Sequence, residues 1–274
     1  MRIGLLQLNP VVGDLHGNAA RIEAAYATAV AQGAELCLTP ELALTGYPPR
    51  DMLLYAGFCK AAWAEAHALA ARLEATHPAG PALILGCPEP NPSDLGKALF
   101  NAALWCEGGG VRRSIRKSLL PTYDVFDEAR YFEPAPLGGS GVVEYRGLRV
   151  AVTICEDLWN DKDYWPHRLY PVDPVEAAVC AGAQLLVNLS ASPFSLRKQA
   201  LRHDMLSSIA QRRALPLAYC NQVGGNDELV FDGRSALYGP DGALLARAAG
   251  FEEDVLVAEL GQPGPCLLYT SRRG

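Results

Sequence analysis

A glutamate, a lysine and a cysteine, Glu41, Lys117 and Cys155, lie 76 and 38 positions apart, each where an apolar or β-branched run gives out. Strand ends along one edge of a sheet converge, so residues this distant can share a site. Their chemistry is complementary. A carboxylate can take a thiol proton, the sulfur can attack a carbonyl carbon, and a fixed ammonium can stabilise the oxyanion that results. The cation also favours the thiolate of a cysteine that is otherwise mostly protonated at neutral pH. No histidine is required, and none of His16, His67, His77, His167 and His203 has the neighbours of a cysteine-protease partner. Taken singly, each of the three also has an ordinary reading. Glu41 follows Pro40 and fits a solvated loop or helix cap, Lys117 follows Arg112, Arg113 and Arg116 as on a basic strand edge, and a lone cysteine packs as a small hydrophobe.

The elements that would position them follow from hydrophobic period and from Gly and Pro punctuation. Strands are predicted over 3–8 and 35–39, with a helix over 18–32 between them stopped at Gly33. Pro40, Gly46, Pro48 and Pro49 forbid regular structure in ELALTGYPPR, which leaves Glu41 on a loop beyond a strand end. A helix over 53–75 precedes strands over 82–86, 99–106 and 111–118, the last two joined through Gly108, Gly109 and Gly110. A second hairpin, 142–145 with 148–154, turns at Arg146 and Gly147 and delivers Cys155 at its exit. Helices over 174–181 and 196–213 flank a strand over 185–189, and strands over 217–222, 229–231, 235–238, 243–246 and 255–260 close the chain. Helices alternating with strands, some of them hairpin neighbours, imply an α/β fold with two mixed sheets, each covered by helices on one face. One domain over 1–260 is expected, with 261–274 as a linker-like tail.

At 274 residues and half apolar, the chain can bury an ample core. A formal net charge of -6 argues against nucleic acid and anionic membrane surfaces, which select basic proteins. The start, MRIGLLQLNP, is too short an apolar run for a signal peptide, and a cytoplasmic location is expected. Eight scattered cysteines without a C-x-x-C pair read as reduced thiols, and no metal site is expected.

Read together, TPELALTGYPPRDML, RKSLLPTYDVFDEARYFEP, VTICEDLW and NLSASPF resemble, in order and spacing, the carbon-nitrogen hydrolase (nitrilase) superfamily. LNPVVGDLHGN and NQVGGNDELVFDG extend the resemblance to one branch, the glutaminase domain of glutamine-dependent NAD synthetases. The resemblance implies a nitrilase-like α-β-β-α sandwich. It implies Glu41 as general base, Lys117 as oxyanion-stabilising lysine and Cys155 as nucleophile, with the Glu156 N–H as second oxyanion donor. A further glutamate beside the triad maps to Glu128, with Glu133 the weaker match; the ordinary alternative for Glu128 is an ion pair with Arg130. Glutamine-binding positions map to Tyr123, Glu156 and Ser192. Some relatives place an arginine six residues after that serine; here the position is Lys198, beside Arg197, and a lysine lacks arginine's planar fork.

The resemblance further implies a thioester route from glutamine to glutamate and ammonia, without cofactor or metal. The ammonia would serve conversion of deamido-NAD to NAD by a synthetase domain or partner protein. No S-G-G-x-D-S phosphate loop occurs here, and VGGND at 223–227 has the wrong neighbours, so ATP and NAD are not expected to bind. Homo-oligomers, at least dimers, are expected from the superfamily. A stand-alone amidase for another small amide, and a nonenzymatic partner that kept the fold, are the competing readings.

Overall fold

The computed structural model describes residues 1–136, 139 and 141–261, so the tail expected over 261–274 lies outside the described residues apart from Gly261. The chain runs through β1 (Arg2–Gln7), α1 (Leu15–Ala31), β2 (Leu36–Leu38), α2 (Ala56–Thr76), β3 (Ala82–Pro90), β4 (Leu99–Glu107) and β5 (Gly110–Arg116). It continues through β6 (Val142–Tyr145), β7 (Leu148–Ile154), α3 (Pro174–Cys180), β8 (Leu185–Ser190), α4 (Lys198–Arg213) and β9 (Leu217–Asn221). It closes with β10 (Val223–Asn226), β11 (Leu229–Asp232), β12 (Ala236–Tyr238), β13 (Leu244–Arg247) and β14 (Asp254–Glu259).

Period-two patterning decides how these strands stack. In β7, Val150, Val152 and Ile154 face one way, as do Leu185, Val187 and Leu189 in β8; they meet Ile3, Leu5, Leu36, Leu38 and Ile84 of the other sheet in one buried core. The alternate residues pack against helices: Leu83 and Leu85 with Ile22, Ala66 and Leu69 on one side, and Ala151 and Leu186 with Met205 and Ile209 on the other. The result is an α-β-β-α sandwich with two mixed sheets. One sheet runs β14-β1-β2-β3-β4-β5 and the other β13-β12-β9-β8-β7-β6. β1, β2 and β3 are parallel, as are β7, β8 and β9, so the chain leaves β2, β7 and β8 at the carboxyl edge where α/β sheets hold ligands.

Two differences from the sequence reading concern the edges of that frame. The helix expected over 53–75 starts at Ala56, because Arg50–Leu54 forms a separate 3-10 turn after the proline pair. VGGN forms β10, which was not anticipated, since two glycines carry no alternating apolar signal; it pairs only with β11, as a hairpin outside both large sheets. The turn at Arg146 and Gly147 does adopt positive φ at both residues, 48° and 78°, as a tight hairpin requires. No helix among the described residues is long and apolar enough to cross a membrane.

Candidate active site

Glu41 sits three residues beyond β2, and its backbone N–H donates across the sandwich to the carbonyl of Ser190 at the end of β8. The loop presses onto β3: a Cβ on Gly86 would stand 2.3 Å from the Pro40 carbonyl oxygen, so only glycine admits the approach. Lys117 follows β5 directly, and Asn101 of β4 receives its backbone N–H at 2.8 Å. Cys155 follows β7 at the first position of a 3-10 turn over Cys155–Leu158, with φ 41°, in the left-handed region that a residue with a Cβ seldom occupies. Asp157 holds that turn. Its carboxylate accepts the N–H groups of Ile154 at 2.9 Å, Ser118 at 3.1 Å and Leu119 at 3.0 Å, fixing the cysteine turn to the lysine loop.

At the centre is a buried ion cluster. Lys117 Nζ lies 2.7 Å from Glu41 Oε1 and 2.8 Å from each oxygen of Glu128, with Glu41 and Lys117 fully buried. Glu41 also accepts from Asn101 Nδ2 at 2.8 Å and from the Ala191 N–H at 3.2 Å, and the Tyr47 hydroxyl donates to Glu128 at 2.8 Å. Burial alone would lower the Lys117 ammonium, but Glu128 and Glu41 outweigh it and hold it well above its ordinary value. Burial raises Glu128 against the opposing pull of Lys117. The Cys155 thiol is pushed up by burial first and by the Glu41 charge second, with Lys117 opposing both. The Lys117 cation does favour the thiolate, as expected, but burial and the Glu41 charge outweigh it and hold the thiol above its ordinary range.

The glutamates sort clearly. Glu128 joins the cluster, and Arg130 pairs with Asp51 instead, at 3.3 Å. Glu133 accepts the Lys97 backbone N–H and takes no part in the cluster.

Outward from Cys155, a residue 7% exposed, the residues alternate in charge. Glu156, buried, accepts the Tyr123 hydroxyl at 2.8 and 2.9 Å, and Tyr170 lies within electrostatic reach of it. Lys198 opens α4 half-buried, within electrostatic reach of Cys155 and Glu156, whereas Arg197, in left-handed geometry with φ 69°, stands exposed just before the helix. Ser192 is buried, its N–H donating to Asn221 Oδ1 at 2.9 Å. A cavity of about 660 Å³ adjoins the cluster from the side of Leu42, Tyr47, Phe126 and Glu128.

Sequence reading had not singled out Tyr47, Asn101, Asp157 or Tyr170. A usable signal existed for Asn101, a lone amide inside the apolar run LFNAALW, since a buried polar side chain demands a partner. Tyr170 lies in a loop of low pattern content, where Asn160 Nδ2 fixes its carbonyl at 3.0 Å.

The start of the second turn of α4 is pinned by a second buried pair, Arg202 to Asp232 at 2.7 Å, exposed by 4% and 1%. Asp232→Ala is expected to cost about 3–5 kcal/mol in urea unfolding, because it strands a buried guanidinium. The double variant Arg202→Met, Asp232→Leu should recover most of that loss.

An α-β-β-α sandwich with a cysteine, a glutamate and a lysine gathered at the strand ends defines a class, and comparison with known proteins agrees with it. Residues 2–263 match the carbon-nitrogen hydrolase family, and the chain belongs to that family. It is 43% identical over 256 residues to a glutamine-dependent NAD(+) synthetase of Synechocystis sp., covering 92% of this chain and 45% of that protein. It is 37% identical over 261 residues to that of Thermotoga maritima, covering 95% and 42%. Among solved structures, the glutamine-dependent NAD+ synthetase of Acinetobacter baumannii superposes with a TM-score of 0.80 at 29% identity, over 93% of this chain and 44% of that one. A cysteine-to-alanine mutant of the Nesterenkonia AN1 amidase, from the nitrilase superfamily, superposes at 0.77 with 28% identity, over 95% and 90%. The chain thus spans less than half the length of these synthetases and nearly the whole of the amidase.

Proposed function

We propose that this chain hydrolyses the side-chain amide of glutamine to glutamate and ammonia, with the ammonia consumed in converting deamido-NAD to NAD by a synthetase domain or partner protein. The observation that carries the chemistry is the buried Glu41–Lys117–Glu128 cluster behind the Cys155 thiol. The observation that carries the substrate is the pair of opposite charges around it, Glu156 for an α-ammonium and Lys198 for an α-carboxylate.

Glu41 withdraws the Sγ proton as sulfur bonds to the amide carbon, and the carbonyl electrons move to oxygen. Lys117 and the Glu156 N–H hold that oxyanion; as the second residue of its 3-10 turn, Glu156 has no N–H partner within the turn. Lys117 has three N–H donors for three carboxylate oxygens, so a Glu128 oxygen yields one as the oxyanion arrives. Collapse breaks the C–N bond, Glu41 passes its proton to the departing nitrogen, and ammonia leaves. Water, deprotonated by Glu41, then attacks the thioester; the C–S bond breaks and the sulfur regains a proton from Glu41. Glu128, with Tyr47 and Asn101, keeps Lys117 aimed. Tyr123 and Ser192 complete the amino-acid site.

We assign the hydrolase domain to residues 1–260 and the remainder to a linker. A cytoplasmic location fits the unpaired state of the seven described cysteines, and a homo-oligomer is proposed from the family alone. A second reading, a free-standing amidase for another small amide, is favoured by the near-complete overlap with the Nesterenkonia amidase. Ammonia release from glutamine, propionamide and carbamoyl compounds decides between them. Glutamine should be turned over at least tenfold more efficiently than the others; no glutamine turnover, even with an ammonia-dependent synthetase added, would reject the first reading.

A further inference from the structure

The ammonium of Lys198 has no carboxylate partner among the described residues, although the side chain is half-buried and burial lowers its pKa. What it does have is the face of Trp159, with Nζ 5.6 Å from the ring. Trp159 ends the 3-10 turn that begins with Cys155, its N–H donating to the Glu156 carbonyl at 2.8 Å, and its ring stacks on Trp165 at 6.1 Å. The indole is therefore rigidly tied to the nucleophile. On the other side, Arg202, one helical turn after Lys198, locks α4 to Asp232.

An arginine at position 198 would orient itself on a carboxylate by its planar fork, but a lysine is a point charge on a flexible four-carbon stem. Something else must fix its direction. We propose that Trp159 is a positioning residue that holds the Lys198 ammonium over its indole face, so that the site selects amides bearing a carboxylate several bonds from the reacting carbon. This rests on glutamine being the substrate, and it adds how a lysine replaces the arginine fork. The ring attracts the cation without neutralising it, leaving its full charge for the ligand.

The test compares glutamine with 4-aminobutanamide, which keeps the amide and the ammonium but lacks the carboxylate. Trp159→Met keeps bulk without a ring, and Trp159→Phe keeps a ring. In Trp159→Met, KM for glutamine should rise about tenfold with kcat within about twofold, a loss in the range of one desolvated cation–π contact. KM for 4-aminobutanamide should not change, and Trp159→Phe should restore most of the glutamine affinity. Turnover of the carboxylate-free amide also reports that the fold is intact. A glutamine KM unchanged in Trp159→Met, or equal losses on both amides, would overturn the proposal. A wild-type chain that hydrolyses 4-aminobutanamide but not glutamine would instead overturn the functional reading beneath it.

Discussion

Cys155→Ala is expected to lower glutamine hydrolysis by about 10⁴-fold or more while the chain stays folded, since loss of a covalent nucleophile removes the route rather than one contribution to it. Folding should tolerate the change because Cys155 is small and its turn is held by the Asp157 carboxylate, not by the sulfur. Circular dichroism and urea unfolding check that half; an ammonia assay checks the other. Cys155→Ser should fare little better, because a hydroxyl is a much weaker acid than the thiol Glu41 would deprotonate. The pH profile separates a carboxylate-assisted thiol from a preformed thiolate. Burial and Glu41 place the thiol's ionisation above its ordinary range, so the thiol form persists at neutral and mildly alkaline pH. Glutamine kcat should then show no rise between about pH 7 and 9.5, where an ordinary cysteine with pKa near 8.5 ionises. A tenfold rise over that interval would make free thiolate the attacking species and remove Glu41 from the role of base.

The frame that positions this chemistry was readable residue by residue, and the cluster inside it was not. Val150, Val152 and Ile154 alternate with residues of the opposite face, so β7 and the exit of Cys155 from it follow from period alone. Nothing in a period says that the end of β2 lies beside the end of β5; that came from the resemblance of whole segments. Tyr47 and Asn101 escaped because their value is geometric. A tyrosine in a proline-rich loop looks like any other until it is found 2.8 Å from Glu128. Asp157 beside Cys155 and Glu156 looked like one more acid, yet three backbone amides converge on it from two segments. Burial even pushes that carboxyl up to about 7 against those amides, a balance set by the enclosing chain and invisible in CEDLW. The balance at the sulfur is of the same kind. One cation within the sequence motifs favours a thiolate; burial first, and the Glu41 charge second, outweigh it.

Lys117→Met should be the most damaging single change to the molecule as a whole, because it acts on stability and on turnover together. Lys117 is fully buried and is the cation shared by Glu41 and Glu128. Without it, two buried carboxylates face each other, and removal of one member of a buried ion cluster costs about 3–5 kcal/mol. Unfolding in urea should register that loss. Loss of the oxyanion donor alone should reduce kcat by about 10²–10³-fold. The two effects can be separated. In Lys117→Met, Glu128→Gln, one charge is deleted with its counter-charge, while Glu41 keeps its bonds from Asn101 Nδ2 and the Ala191 N–H. That double variant should regain most of the lost stability and none of the activity. If it regains activity as well, Lys117 serves only to compensate buried charge, and the oxyanion rests on the Glu156 N–H alone. If Lys117→Met retains even a tenth of the wild-type rate, the ammonium does not face the reacting carbonyl at all.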